Sequence, residues 1–136
     1  MTTVHEERIK IRWRDVDNYG HVNNAVYLTY LEEARDAWTH RVMCERFDFV
    51  IVRVAIDYRQ ELSLDDVEVI VRCRGAGYGT SSIRTQEEIL TPDGVVRAEA
   101  ASVIVAHDAG ARRSRPLTDA ERALLDAANA DEPRTA

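Results

Sequence analysis

Few of the features that mark specialised protein classes occur in this chain. Among its 136 residues there are only two cysteines, Cys44 and Cys73, and they form no CxxC pair. Two lone cysteines suit a reducing compartment, where both are expected as buried free thiols rather than a disulfide. No apolar run approaches the ~18 residues that mark a membrane span. The first residues, MTTVHEERIKIRW, carry charges throughout and lack the apolar stretch of a secretory leader. A cytoplasmic location is therefore expected. Positive charge is also scarce: Lys and Arg number 18 against 24 Asp and Glu, a net charge of −6. Nucleic acid is a poor partner for such a chain, because binding phosphates needs a basic face. No internal repeat and no low-complexity tract is visible.

The common catalytic signatures are missing too. The histidines, at 5, 21, 40 and 107, make no HExxH or HxH pair, so a zinc site has no signature. Ser81 sits in GTSSI, which lacks the second glycine of a GxSxG elbow. There is no GxGxxG and no Walker sequence. An enzyme built from this chain works with carboxylates, backbone amides and water.

Composition is that of an ordinary globular protein, 45% apolar and 31% charged. His5 to Trp13 alternates, with Ile9, Ile11 and Trp13 on one side, which predicts a half-buried strand. From about Asn24 to Arg41 the period changes. Tyr27, Leu28, Leu31, Ala34, Ala37 and Trp38 recur at three- and four-residue steps and predict an amphipathic helix, with Asn23 or Asn24 as its N-cap. Strands are predicted at Phe49–Tyr58, around Val67, Val69, Val71 and Cys73, at Ser82–Leu90 and at Val95–His107. TPDG at 91–94 is a hairpin turn, and GAGYG at 75–79 is a turn or a bent strand. Thr118 and Glu121 have capping-box spacing before a short helix at Arg122–Ala127. After Asp126 the composition is small and polar, as of a frayed tail. The reading is α+β: one domain over 1–128, a disordered tail over 129–136, and a five-stranded antiparallel sheet wrapped around one long central helix, plus a short C-terminal helix. Apolar residues on both sheet faces, such as Ile70 opposite Val69 and Val71, point to oligomer contacts.

The most informative stretch is DVDNYGHVNN, residues 15–24, at the foot of the long helix. The first N–H groups of a helix have no internal partners. They can serve a cap, or they can hold a developing oxyanion. Gly20 lets the chain bend and a substrate come close. A carboxylate here lies near the positive end of the helix dipole. Together these are the parts of an acyl-transfer site needing neither a histidine base nor a metal.

D-x-D-x-x-G-H-V-N-N-x-x-Y, continuing into LEEAR at 31–35, resembles the acyl-CoA thioesterases of the hotdog fold, in the 4-hydroxybenzoyl-CoA thioesterase branch that also contains long-chain acyl-CoA thioesterases. The match is close over Arg12–Arg35. The strand order, the GTSS at 79–82 and the Arg-Pro-Leu before the last helix extend it. The resemblance implies a homo-oligomer, a dimer at least and commonly a tetramer, with sheets joined edge to edge and sites between subunits. It implies Asp17 as the catalytic carboxylate, acting as nucleophile or as general base for water. It implies the Asn24 backbone amide as oxyanion donor, and Gly20 as room for the thioester. His21, Val22, Asn23 and Tyr27 would line the substrate, and the pantetheine arm would pass Arg59 and Thr80, Ser81 and Ser82. The substrate is acyl-CoA, so coenzyme A belongs to the substrate and no cofactor is expected.

Other readings stand beside these. Asp15 caps its turn or pairs with Arg12 or Arg14. His21 is a hydrogen-bonded loop histidine or a substrate contact. One asparagine of the pair is a cap, leaving the other's side chain spare. Glu32 and Glu33 suit a solvated helix face or a dimer contact beside Arg35 and Asp36; Glu33 is the runner-up carboxylate, because another hotdog branch carries its catalytic glutamate on the helix. Arg112, Arg113 and Arg115 either hold coenzyme A phosphates or link the sheet to the last helix. Tyr27 and Trp38 are core. The alternatives to a thioesterase are a hotdog hydratase or dehydratase using Asp17 and His21 together, and a non-catalytic acyl-thioester binding protein. An ionised Asp17 predicts a rate that rises with pH through an acidic limb and then stays flat; control by a group titrating near 6.5 would point to His21.

Overall fold

The computed structural model describes residues 3–129. In chain order these form β1 (Val4–Lys10), α1 (Asn24–Met43), β2 (Phe49–Tyr58), β3 (Glu68–Tyr78), β4 (Ser82–Leu90), β5 (Val96–Asp108), β6 (Arg113–Ser114) and α2 (Asp119–Asn129). Single 3-10 turns lie at Trp13–Asp15 and Leu64–Asp66. The main sheet runs β1-β3-β4-β5-β2, each pair antiparallel, and the two-residue β6 adds to β5. The sheet curls around α1, as the hotdog arrangement requires.

Alternation in the strands decides which side faces the helix. Val69, Val71 and Cys73 of β3, Ile83 and Ile89 of β4, and Ala98 and Ile104 of β5 are buried. On α1 the buried positions are Tyr27, Tyr30, Leu31, Ala34, Arg35, Trp38, Thr39, Val42 and Met43, a stripe of helical period. Trp38 is fully buried and donates from Nε1 to the Thr3 carbonyl at 2.9 Å. Gly75 makes room for it: a Cβ there would lie 2.9 Å from the indole. The 75–79 segment is the bent strand, with β3 running on to Tyr78 through a bulge between Gly75 and Gly77. Thr118 and Glu121 form the capping box of α2, Thr118 N donating to Glu121 Oε1 at 2.8 Å and Glu121 N to Thr118 Oγ1 at 3.1 Å.

Several expectations fail for tertiary reasons. β1 ends at Lys10, so Trp13 is not on its inner face; it sits in a 3-10 turn and is 83% exposed. Leu28 is exposed and Ala37 only half-buried, while Arg35 and Thr39 take inward places. Val67 lies before β3 with φ 69° and is exposed. Cys73 is a buried free thiol, but Cys44 is exposed, as the left-handed C-cap of α1. α2 runs on to Asn129 with Ala128 buried, so fraying does not begin at Asp126; the rest of the predicted tail, 130–136, lies outside the described residues.

Arg35 is the most consequential of these corrections. Its Nε donates to Glu87 Oε1 at 3.1 Å and its Nη2 to Ser102 Oγ at 3.1 Å. Glu87, fully buried, also accepts from Thr85 Oγ1 at 2.7 Å and Ser102 Oγ at 3.0 Å. This network bridges α1 to β4 and β5 through an otherwise apolar core.

Candidate active site

The polar stretch 15–24 is a closed loop, and its residues explain why. Val16 and Val22 form an isolated bridge. Between them Asp17 N donates to the His21 carbonyl at 2.8 Å, and Gly20 N donates to the Asp17 carbonyl at 3.1 Å. Gly20 has φ +81°, a conformation that side chains with a Cβ rarely adopt. The Asp17 carboxylate turns back into its own loop: Oδ1 accepts from Tyr19 N at 2.9 Å and His21 N at 3.3 Å. Among the described residues its Oδ2 accepts nothing.

Asp15 has the structural role. It is 2% exposed. Its Oδ2 accepts from Arg12 N at 2.9 Å and the Tyr30 hydroxyl at 2.8 Å, and Arg12 Nη2 lies 3.3 Å from Oδ1. Burial pushes its pKa up, but the Arg12 amide, the Tyr30 hydroxyl and the Arg12 guanidinium together outweigh burial and hold it below the ordinary carboxylate value. A depressed folded-state pKa means stability present above the unfolded-state value and lost as pH falls through the folded one. Asp15→Asn is therefore expected to be less stable than the parent at neutral pH. The gap should close as pH falls below the carboxylate range, measured by urea unfolding at a series of pH values.

Asn23 is the N-cap of α1: its Oδ1 accepts from Ala25 N at 2.8 Å, while Val26 N reaches the Asn23 carbonyl at 2.9 Å. The amide of Asn24, first residue of the helix, has no protein partner among the described residues. It is the backbone donor left over at the positive end of a twenty-residue helix.

The elements after β2 close the other side. Tyr58 donates its hydroxyl to the Asn24 carbonyl at 3.0 Å, and its ring meets Tyr27 edge to face at 5.0 Å. Leu62, fully buried, donates from N to the Tyr27 hydroxyl at 3.1 Å and accepts from Val22 N at 2.7 Å. These contacts frame a cleft of about 340 Å³ lined by Asp17, His21, Val22, Asn24, Tyr27, Tyr58, Arg59, Gln60 and Glu61. A carboxylate with a free oxygen and an unpartnered helix amide thus share one cleft.

A model of the thioesterase-like superfamily matches residues 11–125. The chain belongs to that superfamily. It is 33% identical over 129 residues to the long-chain acyl-CoA thioesterase FadM of Escherichia coli (strain K12), covering 89% of this chain and 96% of that protein. It superposes on a Thermus thermophilus thioesterase crystallised with coenzyme A and Zn, with TM-score 0.82 and 34% identity over 95% and 96% of the two chains. The structure of a predicted thioesterase from Bacillus stearothermophilus gives TM-score 0.82 at 26% identity, over 93% and 97%.

Within this thioesterase-like chain the expected site residues divide. Asp17, His21, Val22, Asn24, Tyr27 and Arg59 meet at the cleft. Gly20 is not among the residues lining it; a Cβ there would meet no protein atom within 4 Å, and its φ of +81° favours glycine. The Asn23 Oδ1 is taken by the cap. Tyr27 is both core, 2% exposed, and cleft wall. Arg59 is held by Glu99 at 2.9 Å and by Asp57 at 3.8 Å. Glu32 and Glu33 are exposed on α1 and do not line the cleft.

Thr80, Ser81 and Ser82 lie past the far end of β3, about 35 Å along an eleven-residue strand from its start beside Lys10 of β1. Arg112 and Arg113 share that far end, where β5 meets β6. Arg115 is a connector: it pairs with Glu121 through two 2.8 Å bonds and stacks 5.4 Å over Phe47. Arg112 and Arg113 have no such partner among the described residues. Tyr58, Gln60 and Glu61 are cleft residues that sequence pattern does not reveal, since strand alternation says nothing of which distant loop a strand end will meet.

Proposed function

We propose that this chain hydrolyses acyl-CoA thioesters to a carboxylic acid and coenzyme A. The observation carrying the proposal is the pairing, in one cleft, of the free Oδ2 of Asp17 with the unpartnered Asn24 amide. The thioester carbonyl oxygen docks on that amide, whose hydrogen bond strengthens as the oxygen becomes an oxyanion. Asp17 Oδ2 attacks the carbonyl or takes the proton of an attacking water; its Oδ1, tied to two loop amides, holds the carboxylate in place. The hydratase alternative requires imidazole and carboxylate working together, whereas Asp17 contacts only the His21 backbone. Kinship to acyl-CoA thioesterases supports the same reading.

The working unit is a dimer joined through β2. That strand is one edge of the sheet, pairs among the described residues with β5 alone, and exposes Val50, Ile51 and Val52. Such an apolar edge needs a cover. Two-fold symmetry pairs two copies of β2 antiparallel, so the start of one β2 comes beside the end of the other. The partner's far end then approaches Asp17, with Thr80–Ser82 about 10 Å in from the partner's edge strand, two strand spacings. A 340 Å³ cleft is small for an acyl-CoA. A second trough of about 620 Å³, lined by Phe47, Phe49, Val50 and Ile51 with Arg35 and His40, would adjoin it from the other copy. Arg112 and Arg113 of that copy would meet the coenzyme A phosphates. Val52→Lys is expected to yield monomers in sedimentation velocity and to lose turnover; an intact, active dimer would refute the β2 interface.

The direct test of the function is free-thiol release from short, long and aromatic acyl-CoAs. Release establishes the activity and the panel names the acyl class. No release from any of them would sink the acyl-CoA reading.

A further inference from the structure

Resting on the thioesterase reading, we propose that His21 is the acid that protonates the departing thiolate and that Glu61 is the residue positioning it. His21 Nε2 lies 3.2 Å from Glu61 Oε2, and both residues line the Asp17 cleft. The pair is built by the backbone. Val22 N donates to the Leu62 carbonyl at 2.7 Å, holding together the two segments that carry His21 and Glu61. Arg97 Nη1 fixes the Glu61 carbonyl at 2.7 Å, and the Arg97 carbonyl accepts from Arg59 N and Gln60 N. On the other side Asp17 N holds the His21 carbonyl. Asp17, His21 and Glu61 therefore share one rigid frame. The side chains are 46% and 70% exposed, so the ion pair adds little to stability. Its cost in ordered side chains is not explained by folding.

Chemistry singles out His21 among the groups facing the cleft. Tyr27 is buried, which pushes its pKa up and makes it a poor acid. The Tyr58 hydroxyl proton is given to the Asn24 carbonyl. Arg59 is committed to Glu99 and Asp57, and a guanidinium does not release its proton. Gln60 is neutral, and Asp17 and Glu61 are carboxylates. An imidazolium is the one group left that can both hold and give a proton near neutral pH.

The step balances. When the tetrahedral oxyanion collapses, the C–S bond breaks and its electron pair goes to sulfur. With Nε2 bonded to Glu61, the His21 Nδ1–H passes its proton to the thiolate, giving the free thiol. The neutral imidazole is reprotonated by solvent, to which Asp17 returns the proton it took from water. Protonation also stops the thiolate from attacking the acyl group again. A free thiol of about pKa 8.5 is the stable form at neutral pH, so the product leaves in the form it will keep.

The test compares an acyl-CoA with the S-aryl thioester of the same acid, whose acidic thiol leaves without protonation. His21→Gln is expected to slow acyl-CoA turnover about 100-fold and S-aryl turnover less than about threefold. Glu61→Gln should give a smaller loss of the same selectivity, and Glu61→Asp should restore most of it. In wild type, kcat for acyl-CoA should fall at alkaline pH, where the imidazolium is lost, instead of staying flat as for a lone carboxylate. Equal losses on both substrates, or a flat alkaline plateau with acyl-CoA, would overturn the proposal. Should His21→Gln fail to fold, the wild-type profiles and Glu61→Gln still decide it. Absence of turnover with either ester in wild type would instead remove the thioesterase reading, and this proposal with it.

Discussion

Asp17→Asn is expected to lower thiol release from acyl-CoA by about 10²–10⁴-fold while leaving the protein folded. The loss follows from removing the only charge on the free oxygen of the cleft's carboxylate. An amide can neither attack the thioester nor take a proton from water. The fold is spared because Asn Oδ1 can still accept from Tyr19 N and His21 N, as Asp17 Oδ1 does now. Asparagine supports such turns as well as aspartate does. Stability should stay within about 0.5 kcal/mol, as for most substitutions outside the core. Steady-state kinetics and a urea titration on the same preparation check both halves. Survival of full activity would shift the base to Glu61, the other carboxylate of the cleft, or to the solvent-facing Glu33.

Glu87→Leu is expected to be the most destabilising single change in the core. The carboxylate is fully buried and accepts from Arg35, Thr85 and Ser102. Removing it leaves the Arg35 guanidinium, itself 5% exposed, as a charge without its counter-ion. Breaking one side of such a pair typically costs about 3–5 kcal/mol, against a whole-domain stability of about 5–15 kcal/mol. Replacing both members, Arg35→Met with Glu87→Leu, should recover most of the loss, since no charge is then stranded. Urea midpoints of the two single variants and the double variant measure the coupling directly. A loss under about 1 kcal/mol in the Glu87→Leu variant, well short of the usual cost of a stranded charge, would show that water reaches Arg35.

Local pattern was a good guide wherever the physics is local. Ser82–Leu90 was legible to the residue because alternation and the TPDG turn bound it on both sides. The α2 cap was legible because Thr118 and Glu121 satisfy each other within one turn. Asn23 and Asn24 were legible as a cap pair, but the division between them was not. The N-cap side chain had to bend onto Ala25 N before the spare donor could be assigned to Asn24. Trp13 was misplaced because alternation continues on paper past Lys10, while the chain turns away to let Asp15 bond Arg12 and Tyr30. Arg35 was misplaced because a charge next to Glu32, Glu33 and Asp36 looks solvated in sequence. Its partner, Glu87, lies 52 residues away.

By itself the sequence determined the class of the protein, the central helix and the motif DVDNYGHVNN with its carboxylate at a helix start. These depend on residue type and on spacing within one or two turns of chain. Only the tertiary structure decided that Tyr58 and Glu61 complete the cleft, that Thr80–Ser82 stand at the opposite end of the sheet, and that Glu87 neutralises Arg35 in the core. Each of those is a meeting of segments tens of residues apart. Strand order and sheet curl set such meetings, and no local pattern encodes them.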